Sequence, residues 1–305
     1  MSANSELDEF VKDNFGVDVD TLIEALELSP NAQGYLDGAI TELLLKRYLE
    51  GNGYELLRIK EKWSGPKVHH GDFYIRKIGG TDWFVLESKG LKSNSEAWNS
   101  FYNKSRLISF MSKPENLKRT PFKTAKQLED YIKKELPAFQ NKYKIDTYTQ
   151  NEIDKYKPKR ESEKSKIITS LKKKGYAYVD AQISERTKYV MTKIKIMDTH
   201  FVAGKSGNRK IATPRVDEFG IASIDLFLRT GKHEFIFVDP TKLVPSSKDP
   251  NHLQQNYIIS FIIKGLQDDP VIPKPWCKDF DEIFATLLNP VKESEMQVDS
   301  RLNVH

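Results

Sequence analysis

The sequence predicts an α/β protein built on a mixed central sheet with helices on its flanks. Three observations carry that prediction. Gly71-Asp72-Phe73-Tyr74-Ile75, a Gly79-Gly80 turn and Trp83-Phe84-Val85-Leu86 read as a hairpin of two apolar strands. Ile221-Ala222-Ser223-Ile224-Asp225-Leu226-Phe227-Leu228, a turn at Thr230-Gly231-Lys232 and Phe235-Ile236-Phe237-Val238 read as a second hairpin, its return strand apolar enough for burial in a sheet. Around them, apolar residues recur at helical spacing, as at Ile40, Leu43, Leu44 and Tyr48.

In chain order, the spacing predicts acidic helices over about 5–14 and 19–28, with Ser29-Pro30-Asn31 as a break. A helix through Gly38–Tyr48 stops at Gly51 and Gly53, and Tyr54–Ile59 reads as a first strand. The hairpin follows. Ser93-Asn94-Ser95-Glu96 is a capping-box pattern opening a helix to about 112, carrying Trp98, Phe101, Tyr102, Leu107 and Phe110. Further helices are predicted near 124–136 and 161–174. Strand-like stretches lie at 176–179 and 189–196, and a Gly-flanked loop at 204–210. Residues 252–266, with Leu253, Tyr257, Ile258, Phe261 and Ile262, read as a helix packed on the second hairpin, and the tail from about 291 as polar and disordered. The resulting organisation is acidic helices over 1–36, a core over 37–115, a lysine-rich insertion over 116–220, the rest of the sheet with its packing helices over 221–290, and a tail over 291–305.

Composition narrows the function. Of the 305 residues, 38% are hydrophobic and 30% charged, which suits a globular protein with a polar surface. No apolar run is long enough for a membrane span, and the first residues lack the basic start and apolar core of a signal peptide. The single Cys277 has no partner for an internal disulfide, and a reducing cytoplasm fits. Net charge is +5, but residues 1–40 hold nine acids and one base while residues 151–210 hold sixteen bases and seven acids. A basic middle between acidic ends suits a bound polyanion.

The chemistry concentrates at Asp72 and Glu87-Ser88-Lys89. Side chains alternate faces along a strand, so Glu87 and Lys89 share a face, and the hairpin brings Asp72 beside them. Two carboxylates and an ammonium on an apolar sheet are costly unless something binds there. Mg²⁺ suits such a site, because it takes oxygen ligands, one or two of them carboxylates, and keeps several waters.

Together with Gly38-Ala39-Ile40-Thr41-Glu42 and the order helix, three strands, helix, this pattern resembles the PD-(D/E)xK nuclease superfamily, best known from type II restriction endonucleases. The resemblance spans about residues 38–112. It departs from the family at Gly71, where proline often stands. It implies a restriction-endonuclease-like core, Mg²⁺ held by Asp72, Glu87 and the Ser88 carbonyl, Lys89 as the water-positioning group, and Glu42 as a further acid near a second ion or a water. It further implies sequence-specific hydrolysis of double-stranded DNA by a homodimer in a prokaryotic cytoplasm, with a cognate DNA methyltransferase as a partner in the same system. Candidate DNA contacts are Lys92, Lys104 and Arg106 after the catalytic strand, and Lys193, Lys195, Lys205, Asn208, Arg209, Lys210 and Arg215 in the basic region. Alternatives are a structure-specific or repair nuclease of the same fold, or a DNA-binding protein without catalysis.

Other signals are weaker. Gly204-Lys205-Ser206 lacks the first glycine of a phosphate loop, since Thr199 stands there, and Gly207 and Pro214 oppose a following helix. Gly34-Tyr35-Leu36-Asp37-Gly38 resembles a fragment of the LAGLIDADG homing-endonuclease motif, which would move the catalytic acid to Asp37, but the helical periodicity runs on past it and no second copy exists. His69-His70 and Asn251-His252 lack the spacing of a zinc cage.

Overall fold

A computed structural model describes residues 3–60, 69–91, 104–142, 194–201 and 213–299. Helices α1 (Ala3–Phe15), α2 (Val19–Leu28) and α3 (Pro30–Gly51) open the chain. Asp18 caps α2 through the Thr21 amide at 2.8 Å, and Ser29 caps α3 through the Ala32 amide. The expected break at Ser29-Pro30 is therefore one residue wide: proline's fixed φ suits the first helical turn, so Pro30 starts α3.

Strands β1 (Tyr54–Arg58), β2 (Phe73–Lys77) and β3 (Phe84–Gly90) follow. Then come α4 (Lys104–Met111), α5 (Pro114–Leu117), α6 (Ala125–Lys142) and β4 (Ile194–Asp198). The second hairpin is β5 (Ile221–Asp225) and β6 (Phe235–Val238), with a one-turn helix, Phe227–Thr230, between them. Strand β7 (Ile258–Ile263) and a short helix, Phe280–Phe284, complete the set.

Among the described residues, five strands form one mixed sheet in the order β1-β2-β3-β5-β6, antiparallel except for the parallel pair β3–β5. Strands β4 and β7 pair antiparallel in a second, smaller sheet. The segments 37–115 and 221–290 thus share one sheet, while the segment 116–220 contributes β4 to the other.

The layers follow from alternation. One face of the large sheet presents Phe73, Ile75, Phe84, Leu86, Ile221 and Phe237 to Leu45 and Leu49 of α3 and to Phe280 and Ile283. The other face presents Tyr74, Val85, Ala222, Ile224 and Ile236 to Met197, Ile259 and Ile262 of the small sheet. The far side of the small sheet, with Ile196, Phe261 and Ile263, packs on Leu107, Met111, Leu128 and Ile132 of α4 and α6.

Two expectations are corrected. Residues 252–266 hold a strand: the run Ile258–Ile263 is β-branched and apolar on both sides, and β4 supplies the ladder that a helix would forgo. The tail to residue 299 is ordered against the sheet. Ile59 bridges Val298, the Lys60 amide donates to the Gln297 carbonyl at 2.8 Å, and the Asp299 amide donates to the Arg58 carbonyl at 2.9 Å. An edge strand has unpaired backbone groups, and this polar tail pairs with the chain at the end of β1, residues 58–60. The predicted elements at 161–174 and 176–179, most of 189–196, the loop at 204–210 and the start of the helix after Ser93 lie outside the described residues. No helix among the described residues is long and apolar enough to cross a membrane.

Candidate functional site

Strand β3 is the middle strand of the large sheet, and its carboxyl end carries Glu87-Ser88-Lys89. The pairing Phe73 with Leu86 sets Asp72 just beyond β2, next to Glu87. Here the ladder gives way to a side chain: the Ser88 amide donates to Asp72 Oδ2 at 2.7 Å.

Gly71 makes this geometry possible. A Cβ at residue 71 would lie 2.4 Å from Val85 Cγ1 and 3.2 Å from the Leu86 carbonyl oxygen. Any other residue, proline included, would push Asp72 away from β3. Glycine at 71 is thus a requirement of this hairpin.

Lys89 forms an ion pair with Glu87, and their side chains are 26% and 13% exposed. Burial alone would lower the lysine pKa, but Glu87, Asp72 and Glu42 outweigh it and raise the value above the ordinary range. Glu87 is in direct contact with Lys89, while Asp72 and Glu42 act on it through their charge. Glu42, on α3, pairs with Arg58 of β1 at 2.9 Å.

The donor set consists of hard oxygens. Among the described residues no three His, Cys, Asp or Glu side chains form a preassembled metal cage. Mg²⁺ needs no such cage, because one or two carboxylates and several waters satisfy it. Asp72, Glu87 and the Ser88 carbonyl fit that demand, provided Glu87 turns from Lys89 toward the ion.

A cleft of about 610 Å³ opens beside Lys89. It lies beyond the carboxyl ends of the parallel strands β3 and β5, where open α/β sheets hold their ligands. Gly34, Gly38 and Thr41 of α3 form one wall, Lys89, Gly90 and Leu91 a second, and Asp225, Phe227 and His233 a third. A Cβ at Gly34 or Gly38 would meet nothing within 4 Å, so these glycines keep the wall low rather than the helix packed. Asp37, the alternative acid, lines the same cleft from an exposed position on α3.

Sequence reasoning missed the third wall. Asp225 is 3% exposed, yet it accepts from Thr41 Oγ1 at 2.9 Å, from His233 Nδ1 at 2.6 Å and from the Phe227 amide at 2.9 Å. Its signal was an acid inside an otherwise apolar strand. Arg58, the partner of Glu42, was likewise missed; it ends a strand that the sequence predicted.

The proposed DNA contacts are scattered. Lys195 donates to the Arg229 carbonyl at 3.1 Å and lines a separate cleft with Lys232 and Lys264. Arg215 is half exposed and makes a two-pronged ion pair with Asp217 at 2.8 and 2.9 Å. Lys104 and Arg106 lie on α4. Lys92, Lys193, Lys205, Asn208, Arg209 and Lys210 lie outside the described residues. Cys277 is buried, and burial pushes its thiol pKa up, so it offers no ready thiolate. His69 packs edge-on to Tyr74 and hydrogen-bonds its hydroxyl at 3.0 Å. Compared with known proteins, the chain matches no family model, no curated protein and no solved structure.

Proposed function

We propose that this protein is a Mg²⁺-dependent endonuclease of the PD-(D/E)xK type that hydrolyses double-stranded DNA at a specific sequence, in the manner of type II restriction enzymes. The observation that carries the reading is the Glu87–Lys89 ion pair at the carboxyl end of the central strand, with Asp72 held beside it through the Ser88 amide. Such a cluster is expensive to hold together for packing alone. Helix α3 followed by β1, β2 and β3 has the order of that family's core.

Asp72, Glu87 and the Ser88 carbonyl would hold the cation, which supplies a more acidic water and neutralises phosphate charge. Lys89 then positions the attacking water and stabilises the charge that grows on the phosphoryl oxygens. Glu42, held by Arg58, fixes the side of the cluster nearest α3.

The same reading favours a homodimer, because cutting both strands of a symmetric site takes two active sites related by a twofold axis. Helix α2 has no buried residue, and Leu7, Phe10, Phe15, Ile23, Leu28 and Tyr35 are exposed. The N-terminal helices offer this apolar face to a second copy of the chain.

Incubation of plasmid DNA with Mg²⁺ and with EDTA tests the function. Discrete fragments are expected with Mg²⁺ only, and D72N and K89A should abolish them while leaving the fold intact by circular dichroism. Equal cutting by these variants would reject the site. The Glu87–Lys89 pair and the Asp72–Ser88 contact also satisfy the cluster without a cation, which favours a second reading as a DNA-binding protein without catalysis. That reading expects salt-sensitive DNA binding and no metal-dependent product.

A further inference from the structure

The imidazole of His233 is fixed in two independent ways. Its Nδ1 meets the buried Asp225 carboxylate at 2.6 Å, and its ring lies flat on Phe227, with centroids 4.2 Å apart and planes 4° from parallel. Asp225 accepts from three donors, so it serves as a carboxylate acceptor, and Nδ1 must carry a proton toward it. The reactive position is then Nε2, which makes no hydrogen bond among the described residues. The ring is 30% exposed and lines the cleft shared with Lys89.

The register places the two groups at the cleft end of the sheet, their anchoring side chains on opposite faces. Asp225 pairs with Gly90 across the parallel ladder, one residue beyond the Lys89–Ile224 pair. Adjacent strands lie about 4.8 Å apart, so the anchor of His233 stands one strand away from Lys89, at the same end of the sheet. Helix α3 supplies Thr41, which holds Asp225 on this side of the cleft.

We propose that His233, oriented by Asp225, is the general acid that protonates the departing 3′-oxygen of the cleaved phosphodiester, an inference that rests on the nuclease reading above. The oxygen of water forms a bond to phosphorus as the bond from phosphorus to the 3′-oxygen breaks. In its imidazolium form His233 carries a second proton on Nε2, and this proton passes to that oxygen, giving a 3′-hydroxyl and a 5′-phosphate. The proton shed by the attacking water leaves to solvent, and solvent returns one to Nε2. His233 is thus a catalytic residue and Asp225 a positioning residue, in the carboxylate–imidazole arrangement that fixes tautomer and ring orientation.

The test uses the full-length protein and two duplexes carrying the mapped cut site, one natural and one with sulfur replacing the 3′-bridging oxygen. A thiolate leaves without a proton. H233A should therefore cut the natural duplex about 10²- to 10⁴-fold more slowly than wild type, yet approach the wild-type rate on the sulfur duplex. K89A should remain slow on both. D225N keeps an acceptor beside Nδ1 but loses its charge, and it should show a smaller loss with the same sulfur rescue. DNA binding in EDTA should be the same for H233A and wild type. If H233A cuts the natural duplex at the wild-type rate, or is equally slow on both duplexes, the inference is overturned while the nuclease reading stands. Weakened binding in EDTA with no sulfur rescue makes His233 a phosphate ligand and overturns it too. If wild-type protein cuts no DNA, the nuclease reading falls and takes the inference with it.

Discussion

Replacing Lys89 with methionine separates the electrostatics of the cluster from its packing. The substitution keeps most of the apolar stem and removes the ammonium that pairs with Glu87 and balances the charge of Asp72 and Glu42. Removing one partner of a fully buried ion pair costs ~3–5 kcal/mol. Lys89 is a quarter exposed, and solvent screens part of that loss, so about 2 kcal/mol is expected. For a chain of this size each kcal/mol moves the midpoint by about 2–4 °C, giving a fall of about 4–8 °C in EDTA by calorimetry. Millimolar Mg²⁺ should then restore more stability to K89M than it adds to wild type, because the ammonium no longer competes with the ion for Glu87. The pH dependence has a definite sign. The folded lysine pKa is raised, so its contribution is complete below the unfolded value of about 10.4 and is lost as pH rises through the folded value. The gap between wild type and K89M should accordingly stay constant from about pH 7 to about pH 9. A midpoint for K89M within about 1 °C of wild type in EDTA would refute the argument that the three acids depend on this ammonium. Stabilisation of neither protein by Mg²⁺ would remove the cation from the proposal.

Three further outcomes are expected. G71A should lose about 1–3 kcal/mol in urea denaturation, because its Cβ would overlap Val85 Cγ1 inside the hairpin; an unchanged midpoint would mean the strands separate at no cost. Burial holds the His69 pKa below the ordinary histidine value, with Glu295 partly opposing, so its contribution is complete above about pH 6.5 and is lost as pH falls toward the folded value. H69Q should flatten the fall in urea midpoint between about pH 7 and about pH 5 relative to wild type. F10E combined with L28E should leave the fold intact and give a monomer by sedimentation, whereas wild type sediments as a dimer; equal masses would reject the N-terminal interface.

The local features were legible in the sequence. The hairpin of β2 and β3 announces itself through a glycine turn and short apolar strands, which depend on neighbours only. Helix α2 was readable to the residue, because Asp18 and Ser29 stop it chemically at both ends. Non-local pairing was not legible. Leu253, Tyr257 and Phe261 also fit a helical stripe, and only β4, some 60 residues earlier, makes the segment a strand. The tail misled for a related reason: side-chain polarity carries no record of which backbone groups a neighbouring strand leaves unpaired. The nearness of Asp72, Glu87 and Lys89 was legible because one local hairpin brings them together. Asp225 and His233 lay on a hairpin that was correctly predicted, and an acid within Ile221–Leu228 was the clue left unused.

The cover over β1 has a consequence for synthesis. Gln297 donates its amide to the Tyr74 hydroxyl across 223 residues of chain, and it and its neighbours pair with residues 58–60 where the flank of β1 opens before the β2–β3 hairpin. While the chain is emerging from the ribosome, that flank stays available to any other extended segment until this late stretch arrives. Nascent chains halted before residue 291 should therefore be the sticky species in a cell that overproduces the protein, and a soluble peptide copy of residues 291–299 should suppress their aggregation.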